Sequence, residues 1–198
     1  MTENFKVIPV VVLKDEADAQ EKLSSLVKGN LLVAEITFRT AYAEEGIKYA
    51  NKHFPSLCVG TGTVINAEQA KRAINAGAKF IVSPGFSKEV CDYCKKEEIE
   101  YLPGCVTPTE IMMAIEEEIN KIKFFPANVY GGLAAIKALS APFPQIKFVP
   151  TGGVDISNLE EYLRNEKIAS VGGSWMMKGD IVKNCQEINK IISKIKAE

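Results

Sequence analysis

The sequence predicts an α/β chain folded as one (β/α)8 TIM barrel over residues 1–198. Three observations lead there. Eight short β-type runs alternate with eight amphipathic helical runs, which is the count of that barrel. The turn after the first strand, Leu13-Lys14-Asp15, lacks the G-x-G-x-x-G of a doubly wound open sheet, the structural alternative. A length of 198 residues suits one domain with a sizeable core and falls short of the typical barrel, about 250 residues, so loops should be short.

The elements follow in order. Val7–Leu13 is the first strand and Asp15–Lys28 its helix. Leu31–Phe38 leads to the helix Ala43–His53, and Leu57–Gly60 to Ala67–Ala76, with Asn66 in the N-cap position. Phe80–Ser83 precedes the helix Lys88–Lys96. Glu100–Leu102 precedes Thr109–Glu117, where Thr107 and Glu110 form a capping-box pattern. Lys121–Phe125 is an apolar strand that Pro126 must end, ahead of the helix Gly132–Leu139. Ile146–Val149 precedes Ser157–Arg164. Ile168–Gly172 is the last strand. Gly179–Lys196 closes the chain, with Ile181, Val182, Cys185, Ile188, Ile191, Ile192 and Ile195 recurring at helical spacing on one face. No low-complexity segment or linker interrupts the series, and the βα unit is the only repeat.

Composition narrows the function. Apolar residues are 46% and charged residues 25%, ordinary for a globular chain. With 24 basic and 25 acidic side chains, no basic stripe argues for nucleic acid. No run approaches a membrane span, and Met1–Val12 does not read as a signal peptide. Five cysteines without an export signal fit a reducing cytoplasm. Cys91-Asp92-Tyr93-Cys94 has C-x-x-C form. It lies inside a helical stretch with no second pair, so it reads as two thiols one turn apart. The single histidine, His53, ends a helix and suits that terminus. No metal-ligand cluster is legible, and no cofactor is expected. The single tryptophan, Trp175, is expected to cover the barrel edge or a subunit contact.

In such a barrel the C-terminal strand ends carry the chemistry. Lys123 stands at one, among Ile122, Phe124 and Phe125. A lysine there is an odd choice for packing alone. Burying an ammonium is expensive, so such a residue either reaches water or gives up its proton more readily. In the amine form a lysine attacks carbonyls and forms a Schiff base. On the second strand, side chains alternate, so Glu35, Thr37 and Arg39 share one face and Ala34, Ile36 and Phe38 the other. Glu35 and Arg39 are either a structural ion pair or a general acid/base beside a carboxylate clamp. Gly60-Thr61-Gly62-Thr63, Ser83-Pro84-Gly85 and Pro103-Gly104 end the next strands. Each reads as a plain turn or as part of a ring of small, rigid loops. Thr151-Gly152-Gly153 and Gly172-Gly173-Ser174 follow strands seven and eight, where barrels often bind phosphate; close strand–helix packing is the alternative.

Taken in order, Glu35-Ile-Thr-Phe-Arg39-Thr, Gly60-Thr-Gly-Thr63-Val, Val82-Ser-Pro84-Gly, Lys123-Phe-Phe-Pro-Ala, Pro150-Thr151-Gly-Gly153 and Gly172-Gly-Ser174-Trp resemble the class I aldolases acting on 2-keto-3-deoxy-6-phosphogluconate (KDPG) and 4-hydroxy-2-oxoglutarate (KHG). The resemblance runs from Val7 to the last helix. It implies a homotrimeric barrel that needs no metal and takes a small keto-acid substrate. Lys123 would form the Schiff base and Glu35 would move protons. Arg39 and Thr63 would hold the pyruvyl carboxylate. Pro84 and Phe125 would line the pyruvyl pocket, with Thr151 near the imine. Gly152, Gly153, Gly173 and Ser174 would receive a distal phosphate.

Two features depart from that family. Members often begin with an extra helix, whereas little precedes Val7 here, and many carry Glu where this chain has Asn128. Lys121 shares the strand face of Lys123 and is expected lower in the barrel or reaching solvent. Competing readings are a phosphate-binding barrel isomerase or synthase without an imine, and a non-catalytic keto-acid-binding barrel. Oxaloacetate decarboxylation through the same imine is a further option.

Overall fold

The structure, a computed structural model, describes residues 2–197, Glu3 by its backbone alone. Eight strands alternate with eight α-helices: β1 Val7–Val11, α1 Glu16–Lys28, β2 Val33–Thr37, α2 Ala43–His53, β3 Cys58–Gly62, α3 Ala67–Asn75, β4 Phe80–Val82, α4 Lys88–Lys96, β5 Glu100–Leu102, α5 Pro108–Glu116, β6 Lys121–Phe124, α6 Gly132–Ser140, β7 Lys147–Pro150, α7 Leu159–Arg164, β8 Val171–Gly173 and α8 Ile181–Ala197. Short 3-10 turns occupy Thr2–Asn4 and Trp175–Met177.

All strand pairs are parallel. Six strands form one sheet in the order β5-β4-β3-β2-β1-β8, and β6 and β7 form a second. Single bridges join the two: Gly104 to Lys123 on one side, Phe148 to Ile168 and Thr151 to Gly172 on the other. The pattern reflects a strand period of two with both faces covered. One face supplies Val11, Ala34, Ile36, Ile81, Ile122 and Phe124 to the large core beneath the helices. The other supplies Ile8, Val33, Phe80, Val82, Leu102 and Val149 to a smaller interior cluster. Lys121 and Lys123 of β6 lie out of phase with Ile122 and Phe124, so they point to the interior.

Several boundaries differ from the expected ones, each for a local reason. β3 runs on to Gly62, because Thr37 and Gly62 pair and carry the ladder past Gly60. α7 starts at Leu159 rather than Ser157. The Asp155 carboxylate accepts from both the Ser157 backbone N–H and its hydroxyl, holding a turn instead. α8 starts at Ile181, because Gly179 is left-handed (φ 65°) and Asp180 caps the Lys183 N–H at 2.9 Å. β8 begins at Val171, three residues late, with Ile168 held by its single bridge. Phe125 leaves the strand that Lys121–Phe124 forms. The Asn66 cap and the Thr107–Glu110 capping box are both made.

Cys91 and Cys94 are buried on α4, and burial pushes the Cys94 thiol up to about 12. His53 stacks on Tyr49 with ring centroids 4.1 Å apart, at the end of α2. Among the described residues, no helix is long and apolar enough to cross a membrane, and no three His, Cys, Asp or Glu side chains gather as metal ligands would.

Candidate active site

Lys123 is held on both sides. Its N–H donates to the Pro103 carbonyl at 2.8 Å, its carbonyl accepts from the Cys105 N–H at 2.9 Å, and it pairs with Val149 on β7. Its side chain is buried, and Nζ reaches Glu35 Oε1 at 3.3 Å. Glu35 is equally fixed, paired with Val10 on β1 and Gly60 on β3. Its carboxylate leans over Gly62 so closely that any Cβ there would overlap it. Glycine at 62 is therefore what lets the carboxylate reach the lysine. The Phe125 ring, itself partly exposed, sits with its centroid 5.4 Å from Lys123 Nζ.

Arg39 and Thr63 meet directly: Arg39 Nε donates to the Thr63 hydroxyl at 3.0 Å. Thr63 is left-handed, with φ 62°, a poor conformation for a β-branched residue. Such strain costs about 1–3 kcal/mol and concentrates where geometry serves a purpose. Here it aims the hydroxyl at the guanidinium.

The loops after β6 and β7 are joined through their backbones. The Ala127 N–H donates to the Thr151 carbonyl at 2.8 Å and the Asn128 N–H to the Gly152 carbonyl at 3.2 Å. Gly152 and Gly153 have φ of 88° and 77°, a pair that other residues adopt only with strain. Asn128 packs its side chain against Gly153, so the departure from the family pattern lies on the glycine loop rather than beside the lysine.

These elements enclose a cavity of about 280 Å³ at the C-terminal ends of β1, β6, β7 and β8, close to the lower limit for small-molecule sites. Of the expected set, Lys123, Arg39, Phe125, Thr151, Gly152, Gly153, Gly173 and Ser174 line it. Glu35 lies behind Lys123, and Thr63 stands behind Arg39. Pro84 is exposed and does not reach the wall; its carbonyl backs onto Gly104, the residue that bridges to Lys123. Trp175, expected at an edge or subunit contact, lines the cavity. Val10, Val12, Val154 and Lys178 line it as well and were not anticipated. Val10 on β1 and Val12 just beyond it could have been found from the alternation along that segment. Lys178 carries no such signal, because it follows an irregular turn. A larger hollow of about 590 Å³ near the C-terminal ends of α6 and α7 is lined by Lys137, Ser140, Arg164 and their neighbours, away from the buried lysine–carboxylate pair.

The family model for KDPG and KHG aldolase matches residues 1–193. The chain belongs to that family. It is 41% identical over 175 residues to the 2-dehydro-3-deoxy-phosphogluconate aldolase of Treponema pallidum, covering 88% of this chain and 83% of that one. The solved structure of the KDPG aldolase of Zymomonas mobilis ZM4 with 3-phosphoglycerate matches with a TM-score of 0.88 and 38% identity, over 92% of this chain and 90% of the other. The KDPG aldolase of Legionella pneumophila, with pyruvate captured at low pH as a covalent carbinolamine intermediate, matches with a TM-score of 0.86 and 38% identity, over 96% and 94%. By this membership the chain is an aldolase, a carbon–carbon lyase.

Proposed function

We propose that this protein is a class I aldolase that cleaves KDPG to pyruvate and glyceraldehyde 3-phosphate, KHG to pyruvate and glyoxylate, or both, with Lys123 as the imine-forming residue. The observation that carries the reading is the buried Lys123–Glu35 contact of 3.3 Å at the floor of a small-molecule cavity. The covalent carbinolamine with pyruvate in the Legionella pneumophila relative supports the same route here.

In this mechanism the Lys123 amine attacks the C2 carbonyl carbon and gives a carbinolamine. Water leaves with a proton from the Glu35 carboxyl, and a protonated imine results. The Glu35 carboxylate then takes the proton of the C4 hydroxyl. The C3–C4 bond breaks, its electron pair moves into the imine, and the aldehyde departs. Glu35 returns the proton to C3 of the enamine, and hydrolysis releases pyruvate and the free lysine. One carboxyl serves every step because each proton it gives up is regained in the step that follows. Arg39 and Thr63 orient the pyruvyl carboxylate, a task suited to a guanidinium of fixed charge and forked shape. Phe125 packs on the pyruvyl carbons, and Thr151 stands by the imine. Gly152, Gly153, Gly173 and Ser174 offer backbone N–H groups and a hydroxyl to a distal phosphate.

The bridges at Gly104, Ile168 and Gly172 support a closed eight-stranded (β/α)8 barrel forming a single domain. The solved family members, similar along most of their length, support the same architecture. The reading includes a cytoplasmic homotrimer.

Intact-protein mass after incubation with pyruvate and sodium borohydride, followed by peptide mapping, tests this. One reduced pyruvyl adduct on Lys123 is expected. Folded protein that takes no adduct would remove the imine mechanism and leave a phosphate-binding barrel without covalent catalysis.

A further inference from the structure

The charged residues that line the cavity are all basic. Arg39, Lys123 and Lys178 line it, and among the described residues no Asp or Glu side chain does. Lys123 is matched by Glu35 behind it. Lys178 is not matched: its ammonium has no ion pair or hydrogen bond among the described residues. Its backbone, by contrast, is well anchored. The N–H of Lys178 donates to the Trp175 carbonyl at 3.2 Å, and its carbonyl accepts from Asn184 Nδ2 at 2.8 Å. Asn184 Nδ2 also donates to the Met176 carbonyl at 3.0 Å, so one α8 side chain clamps the whole turn after β8. An exposed lysine with a fixed base and a free head, beside Gly173 and Ser174, is placed to meet an anion entering that side.

We propose that Lys178 is a specificity residue that pairs its ammonium with the phosphate at the substrate end remote from the pyruvyl group. The inference rests on the aldolase reading of the same cavity and deepens it: it makes the site selective for aldol substrates that end in phosphate. Backbone N–H groups of the glycine loops orient the phosphate oxygens, and Lys178 supplies the net charge those neutral groups lack. Arg39, bonded to Thr63 on the β2–β3 side, meets the carboxylate end. Two cations flanking β1 thus match the two anionic ends of one substrate.

The test compares the unmodified protein with Lys178→Met and Lys178→Arg on 2-keto-3-deoxy-6-phosphogluconate and its unphosphorylated analogue, 2-keto-3-deoxygluconate. Methionine keeps the apolar stem and removes the charge. In Lys178→Met the ratio of kcat/KM for the phosphorylated over the unphosphorylated substrate should fall about tenfold or more, through KM, as for a lost charge-assisted hydrogen bond. Arginine should restore most of it. A ratio unchanged in Lys178→Met, or a loss shared equally by both substrates, would overturn the proposal. Its failure is separable from that of the aldolase reading, because borohydride trapping of pyruvate on the unmodified protein tests the imine without any distal anion.

Discussion

β6 carries two interior lysines, one at each end, and their surroundings differ. Lys121 and Lys123 are two residues apart, about 7 Å along the strand, and each faces a glutamate. Lys121 donates to Glu100 Oε1 and to the Thr2 hydroxyl, both at 2.8 Å. Glu100 also accepts from the Thr2 backbone N–H at 2.8 Å and from the Thr2 hydroxyl. Burial works against charge on Glu100, and the bonds from Lys121 and Thr2 outweigh it, bringing the carboxyl down to about 2. This is a dense network. Lys123 makes one side-chain hydrogen bond, to one carboxylate oxygen at 3.3 Å, and opens on the cavity. A network of many bonds locks structure, whereas a buried lysine with spare capacity beside a carboxylate suits chemistry. The same residue pair is an anchor at one end of the strand and, in the proposed mechanism, a reactive couple at the other.

The largest expected effect is at the reactive end. Lys123→Ala should abolish the pyruvate adduct and lower cleavage by about 10⁵-fold, the scale seen when a nucleophile is removed. Near-normal turnover would erase the distinction between the two ends. Glu35→Gln should still form the adduct, more slowly, while kcat for cleavage falls about 10³-fold. Rates of trapping and of cleavage measured on the same preparation separate those steps, and equal losses in both would deny Glu35 its role at the C4 hydroxyl.

Lys121→Met should do the reverse. It takes the Lys121 ammonium away from Glu100, so stability should drop by about 2 kcal/mol, somewhat below the cost for fully buried pairs because Glu100 is partly exposed. Denaturant unfolding reads the stability, and kcat should change little. A variant of normal stability but crippled turnover would place Lys121 in the chemistry instead. Arg39→Ala should raise KM for pyruvate-derived substrates about tenfold, and an unaltered KM would argue against the clamp.

The smallest effect is a change of slope with pH. The folded Glu100 carboxyl lies at about 2 against an ordinary 4.5, so it binds protons less readily than in the unfolded chain. Its contribution is complete above about pH 4.5 and is lost as pH falls toward about 2. Glu100→Gln should flatten the stability profile in that window. A profile identical to the parent's would mean that the network at this end contributes nothing through its charge.

Much of this was legible in the chain, for definable reasons. β2 announced its inward face by alternation, so Glu35 could be named as an interior residue, and Lys123 stood out as a lysine among Ile122, Phe124 and Phe125 at a strand end. The helices showed their apolar stripes, and the Asn66 and Thr107 caps marked two starts within a residue. Other boundaries resisted, because a strand ends where its neighbour stops pairing. Gly62 belongs to β3 only because Thr37 lies opposite it. Pro84 stands in the motif yet off the cavity wall, and Trp175 lines that wall. Lys178 sits on an irregular turn where neither period applies.

The sequence by itself determined the alternation of elements and the family, and it singled out Lys123 for the proposed chemistry, because periodicity and local motifs are properties of neighbours in the chain. Only the tertiary structure decided what each lysine meets. Glu35 lies 88 positions from Lys123, Glu100 21 from Lys121, and Thr2 119 from Lys121. Those distances along the chain collapse only when the sheets pair in register. Burial, partner and free capacity then separate two lysines that the local sequence presents as nearly the same.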